Sequence, residues 1–212
     1  IITGASITLT KSGKVNIKEI HALATIQTRD GNITIDKATN ALSLTTKRNG
    51  NIILKKTTAS VLAETVYGDI SVYFDAEAES YQYNTGARKL QASTVDGQII
   101  ASGVENVSVD ITGTGKASIY MNNVFGENKV SAGKGSAYIE FANESAFTLN
   151  TTAETGKFNI NYLTLSNVGH ENHEFTGTNN FNINTSSSNG RSLLASVSSG
   201  FIKIRDVATK NF

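Results

Sequence analysis

The sequence predicts an all-β chain coiled as a single-stranded β-helix, or β-solenoid, of about ten rungs of 18–21 residues. Three observations carry this. A glycine-led strand motif recurs along the chain. The copies are spaced at the length of a coil turn rather than of a hairpin. No segment shows sustained helical periodicity with caps.

The motif is Gly, any residue, apolar, any residue, apolar. It begins at Gly13, Gly31, Gly50 and Gly68, returns at Gly97, Gly115, Gly135 and Gly156, and has a last copy at Gly200. Its apolar pairs include Ile33 with Ile35, Ile52 with Leu54, Ile70 with Val72, and Ile202 with Ile204. Alternation of this kind is the period of a half-buried strand. Consecutive glycines from Gly13 to Gly68 lie 18, 19 and 18 residues apart, and those from Gly97 to Gly156 lie 18, 20 and 21 apart. A second alternating run precedes several of them, as in Ala24 with Ile26, Leu42 with Leu44, and Val61 with Ala63. Runs such as Arg29 to Asn32 and Arg48 to Asn51 are tight-turn chemistry. Each repeat therefore reads as strand, turn, strand, bend.

Two short strands bury an apolar face only by stacking on their neighbours. Rungs about 4.8 Å apart give a rod roughly 50 Å long, with Ile and Val inside and Thr, Asn and Ser outside. The alternative is a β-sandwich of consecutive hairpins. The chain is read as one elongated domain over 1–212. Its stretch 161–200 is Asn- and Ser-rich and less regular, with degenerate copies near Gly177 and Gly190.

Composition narrows the function classes. Lys and Arg total 19 and Asp and Glu 18, spread along the chain, so no long-range field draws nucleic acid or an acidic membrane. There is no Cys for disulfides or thiolate metal sites, and no Pro or Trp. No stretch approaches the ~20 apolar residues of a transmembrane helix. The start at Ile1 without Met suggests that a signal or anchor lies outside this chain.

The runs Thr28–Ile35, Thr65–Val72 and Thr94–Ile99 resemble the repeat of a family of bacterial surface proteins described as adhesins, a domain family of unknown function with Gly-Asp-Ile-type repeats. The resemblance covers about Gly13 to Ile160. It implies a right-handed β-solenoid on an exported bacterial protein, placed at the cell surface or secreted. It transfers no catalytic or ligand residue.

Candidate sites are few. Tyr67, Tyr73, Tyr81 and Tyr83 cluster in sequence. Exposed tyrosines on a solenoid flank would stack on sugar rings; the plainer reading is packing between rungs. Tyr73 is expected to point outward, because Phe74 lies in register with Ile70 and Val72. His170 and His173, with Glu171 and Glu174, are the only clustered metal ligands, but Gly169 and Gly177 mark a surface loop and the spacing is not the His-Glu-x-x-His of a zinc helix. Asp75, Glu77 and Glu79 alternate as a solvated strand face that diverges rather than converging on calcium. Lys47, Arg48, Lys55 and Lys56 make a local basic spot too small for nucleic acid.

The expected function is a non-enzymatic adhesion or scaffold domain, needing no cofactor and presenting a repetitive polar surface to a glycan, protein or envelope partner. One alternative is a structural solenoid that assembles end to end. Another is a carbohydrate-active β-helix enzyme, which would need paired carboxylates on one flank. The column that follows the motif glycines (Asn32, Asn51, Asp69, Gln98, Lys116, Ser136, Lys157) offers only one carboxylate.

Overall fold

The computed structural model describes residues 4–75, 88–121, 124–142, 147–161, 173–183 and 192–207, and these contain strands and no helix. Five rungs are pairs of strands meeting at a motif glycine. They are β1 (Gly4–Ser12) with β2 (Val15–Ile20), β3 (Leu23–Asp30) with β4 (Ile33–Ala38), β5 (Leu42–Asn49) with β6 (Ile52–Thr57), β7 (Val61–Tyr67) with β8 (Ile70–Phe74), and β9 (Lys89–Thr94) with β10 (Gly97–Val104). The next two rungs, β11 (Asn106–Met121) and β12 (Glu127–Ala142), are single 16-residue strands that run straight through the corner.

Pairing is parallel and skips one strand in sequence. β1, β3, β5, β7, β9 and the first half of β11 form one wall, and β2, β4, β6, β8, β10 and the second half of β11 the other. Strands adjacent along the chain do not pair as hairpins in this region, which excludes the sandwich. Seven rungs in chain order make a parallel β-solenoid of about six turns, fewer than the ten expected. The shortfall lies in the last quarter. There β15 (Ser192–Val207) stacks on β12, while β13 (Phe147–Asn161) stacks on the far side of β15. β14 (His173–Ile183) then pairs antiparallel with β13. The copy at Gly156 thus does not sit on Gly135; the copy at Gly200 does.

The two walls enclose a thin apolar core. Ile26, Ile33, Ile35, Leu44, Ile52, Leu54, Ile70 and Val72 are all fully buried, as are Ile99, Ala101, Ile119, Ile139 and Ile202. Each strand has one inward face, so alternation alone sorts its side chains.

The corner glycines form a column, and their role is mainly steric. A Cβ on Gly31, Gly50, Gly68, Gly97, Gly115, Gly135 or Gly200 would collide with the carbonyl oxygen of the glycine one rung below. Only Gly31, Gly97 and Gly200 of this column have φ in the left-handed half of the map; Gly50, Gly68, Gly115 and Gly135 do not, so turn conformation is not what demands glycine there. Close backbone approach is.

Threonine departs from expectation. Thr28, Thr46, Thr57, Thr65 and Thr94 lie inside, not outside. At the corner their hydroxyls donate to backbone carbonyls: Thr28 to Gly31 O at 3.1 Å, Thr46 to Gly50 O at 3.2 Å, Thr65 to Gly50 O at 3.1 Å and Thr94 to Gly68 O at 3.3 Å. The Thr46 and Thr65 hydroxyl oxygens also lie within hydrogen-bond distance of each other, at 2.6 Å. Buried hydroxyls are tolerated because each finds an acceptor. Outside the corner, side-chain oxygens take backbone amides from the next rung, Asn32 from Asn51 N (3.0 Å), Asn51 from Asp69 N (2.9 Å) and Asp69 from Gln98 N (2.8 Å).

Candidate functional site

The outer surface is a set of columns whose members are fixed by their offset from the corner glycine. One column on the second wall takes the residue after the second apolar position of the motifs led by Gly31, Gly50, Gly68, Gly97, Gly115 and Gly135: Asp36, Lys55, Tyr73, Ser102, Tyr120 and Glu140. Tyr73 pairs with Ser102, and Ser102 pairs with Tyr120. Two rung spacings separate the two tyrosines, about 9.6 Å. They are 40% and 39% exposed. Ser102 lies between them, half-buried.

The column has charged ends. Below Tyr73, Lys55 pairs with Asp36 at 2.7 Å beside a shallow hollow of about 440 Å³ lined by Asn16, Ile17, Lys18, Thr34, Asp36 and Lys55. Above Tyr120, Glu140 is buried and accepts a hydrogen bond from the Tyr138 hydroxyl. Tyr138 stands one column over, with the Lys203 ammonium 5.9 Å from its ring centroid. The first wall is different: one outward column carries Thr25, Ser43, Leu62, Gln91 and Ser108, with no aromatic ring among them. Among the described side chains, Tyr73, Tyr120 and Tyr138 thus stand on the same wall of the coil.

Of the tyrosines marked by sequence, Tyr73 points outward as expected and Phe74 is buried beneath it. Tyr67 is exposed but ends β7 at the corner, off the Tyr73 column. Tyr81 and Tyr83 lie outside the described residues. So does His170. His173 opens β14, where its backbone faces Ile160. Among the described residues no three His, Cys, Asp or Glu side chains gather as for a metal ion.

The charged candidates resolve into ordinary pairs. Asp75 lies just past β8, not on a strand face, and pairs with Lys56 at 2.8 Å; Glu77 and Glu79 lie outside the described residues. Two of the four basic-spot residues, Lys55 and Lys56, are therefore neutralised by carboxylates. In the first rungs, His21 bridges Glu19 and Thr39, both at 3.0 Å. The His21 hydrogen bond, with Lys37 nearby, holds the Glu19 carboxyl below the usual carboxylate range.

Sequence reasoning missed Tyr120 and Tyr138. The signal was present: Tyr73 and Tyr120 are each five residues past a motif glycine, Gly68 and Gly115. It also gave no sign that Arg88, Glu105 and Glu140 are buried. Neither a family model, nor a curated protein, nor a solved structure matches the chain. No helix among the described residues is long and apolar enough to cross a membrane.

Proposed function

We propose that the protein is a non-enzymatic contact scaffold, exported to a bacterial surface or secreted, that holds an extended glycan along its second wall. The observation that carries this is the Tyr73–Ser102–Tyr120 column. Two half-exposed rings two rungs apart offer stacking faces at the spacing of alternate sugars in an extended chain, with a hydroxyl between them. Each contact is weak, and regular repetition supplies the affinity. Export rests on the adhesin-like repeat. Of the four tyrosines that the sequence groups (Tyr67, Tyr73, Tyr81 and Tyr83), this reading keeps Tyr73 and adds Tyr120.

The test is titration with soluble, extended β-linked oligosaccharides of increasing length. Tyr73→Ala and Tyr120→Ala are each expected to weaken binding about 3- to 10-fold, the worth of one aromatic stacking contact. Tyr67→Ala is expected to leave it unchanged. Absence of binding across the series, or binding indifferent to both column variants, would refute the assignment.

A second reading is favoured by the first rung. Among the described residues β1 and β2 each have a partner on one side only, and Ile7, Leu9 and Ile17 are partly exposed where their counterparts Ile26, Thr28 and Ile35 are buried. An open edge of this kind suits end-to-end assembly. Light scattering that rises with concentration, and falls in an Ile7→Lys variant, would support that reading.

A further inference from the structure

The place of β15 is the least expected feature of the fold. The last strand lies between β12 and β13, parallel to both, although 65 residues separate it from its β12 partners and 44 from its β13 partners. Subtracting the offsets places β13 and β12 in a common register, 21 residues apart. Gly156 then corresponds to Gly135, with Gly200 between them. The slot is thus a strand-binding groove with two parallel edges and a fixed register.

We propose that this slot is an exchange site, in which residues 192–207 of a second copy of the chain replace the chain's own β15. Three observations support it. The slot's contacts with β15 are those of a stacked rung: ladder hydrogen bonds on both sides, Leu193, Ala195, Val197, Ile202 and Ile204 buried, and Gly200 seated on Gly135. None of these contacts depends on which chain supplies the strand, so the exchanged and closed forms make the same interactions. The connection to β15 runs through 184–191 alone, so no other strand need be rethreaded. Finally, β13 carries its own copy of the glycine motif in matching register, so it can close directly on β12 when β15 leaves. The vacated core is then covered and the opened state is less costly. Asn128 marks the entry: its Nδ2 donates to Ser192 O at 3.1 Å and its Oδ1 accepts from Val107 N at 2.8 Å.

The chain has no cysteine, so introduced ones report uniquely. Lys129 and Leu194 are register partners on β12 and β15, and both are exposed. Full-length Lys129→Cys and Leu194→Cys, one carrying a mass tag, would be mixed under native conditions and treated with a short bis-maleimide. The expected result is a heterotypic product that grows with incubation time and exceeds either homotypic product at least several-fold. Adding Gly200→Val to the Leu194→Cys copy should abolish it, because that strand can no longer seat on Gly135. A Lys129→Cys/Leu194→Cys double variant should cross-link within one chain at low concentration. Intrachain cross-linking without any heterotypic product would overturn the proposal. So would a heterotypic product that survives Gly200→Val, since it would report collision and not insertion. Failure of the double variant to cross-link at all would also overturn it, by removing the register on which it rests.

Discussion

The corner is built twice in this molecule, by different chemistry. In four of the five two-strand rungs the residue before the turn is threonine (Thr28, Thr46, Thr65, Thr94), buried and bonded to corner carbonyls; the first rung has Leu9 there. In β11, β12 and β15 the paired positions are Ile111, Ala132 and Val197, with no hydroxyl to give. There the strand runs on through the corner, and small residues sit two before the motif glycine: Gly113, Gly133 and Ser198. A Cβ on Gly113 would lie 2.8 Å from Val95 O, and one on Gly133 would lie 2.7 Å from Thr112 O. Side chains help instead from outside. Asp96 accepts from Thr114 N at 2.6 Å, and Ser198 donates to Gly133 O at 2.7 Å. The lesson is that a coil corner needs two things, room for stacked backbone and side-chain partners for its backbone polar groups. The glycine column supplies the first throughout; the second is met locally and differently.

The largest effect should come from breaking what both corners share. Gly50→Ala places a methyl against Gly31 O, a backbone atom that cannot move aside, and is expected to cost about 3 kcal/mol or more, read as a fall in urea midpoint. Gly13→Ala is the control in the same column. Among the described residues its Cβ meets only Leu9 Cδ1 at 3.1 Å, and the cost should stay below about 1 kcal/mol. Equal losses at the two positions would show that close approach is not the reason for the column.

The threonine corner should be next. Thr46→Val keeps the shape but removes the donor to Gly50 O and the bond to Thr65, with an expected loss of about 1–3 kcal/mol. Ile111→Val, at the equivalent place in β11, loses one methyl and should cost about 0.5–1.5 kcal/mol with no hydrogen-bond penalty. Asn51→Ala, which interrupts the partly exposed amide ladder, is expected to cost about 1 kcal/mol.

The smallest effect is electrostatic. Glu19 titrates below its ordinary value, so any stabilisation it gives is present above the unfolded carboxylate pKa and is lost as pH falls through the lower folded value. It is fully exposed and screened, so Glu19→Gln should leave the melting temperature at pH 7 unchanged within error, and any gap that does exist should close on acidification.

Much of the coil was legible because two local rules, period-two alternation and a glycine at each corner, repeat at rung length. Ile33, Ile52, Ile70 and Ile99 could be placed inside from sequence alone, and they are. Threonine was misplaced because its polarity argues for the surface, while the corner carbonyls that take its hydroxyl become visible only after stacking. The order of the last rungs was hidden for a different reason: Gly156 and Gly200 head equivalent motifs, and nothing local says which sits on Gly135. The tyrosine column required aligning the rungs at the fifth residue past the glycine, where similarity between copies has already lapsed.

That rung order has a consequence for how the chain is made. Every layer up to β12 joins a partner that has already been synthesised, about a coil turn earlier, so the rod can lengthen as the polypeptide emerges. The layer after β12 is supplied by residues 192–207, with β13 and β14 made in between. Until Val207 is available, β13 lacks its permanent parallel neighbour, so this layer is completed later than its place in the stack implies.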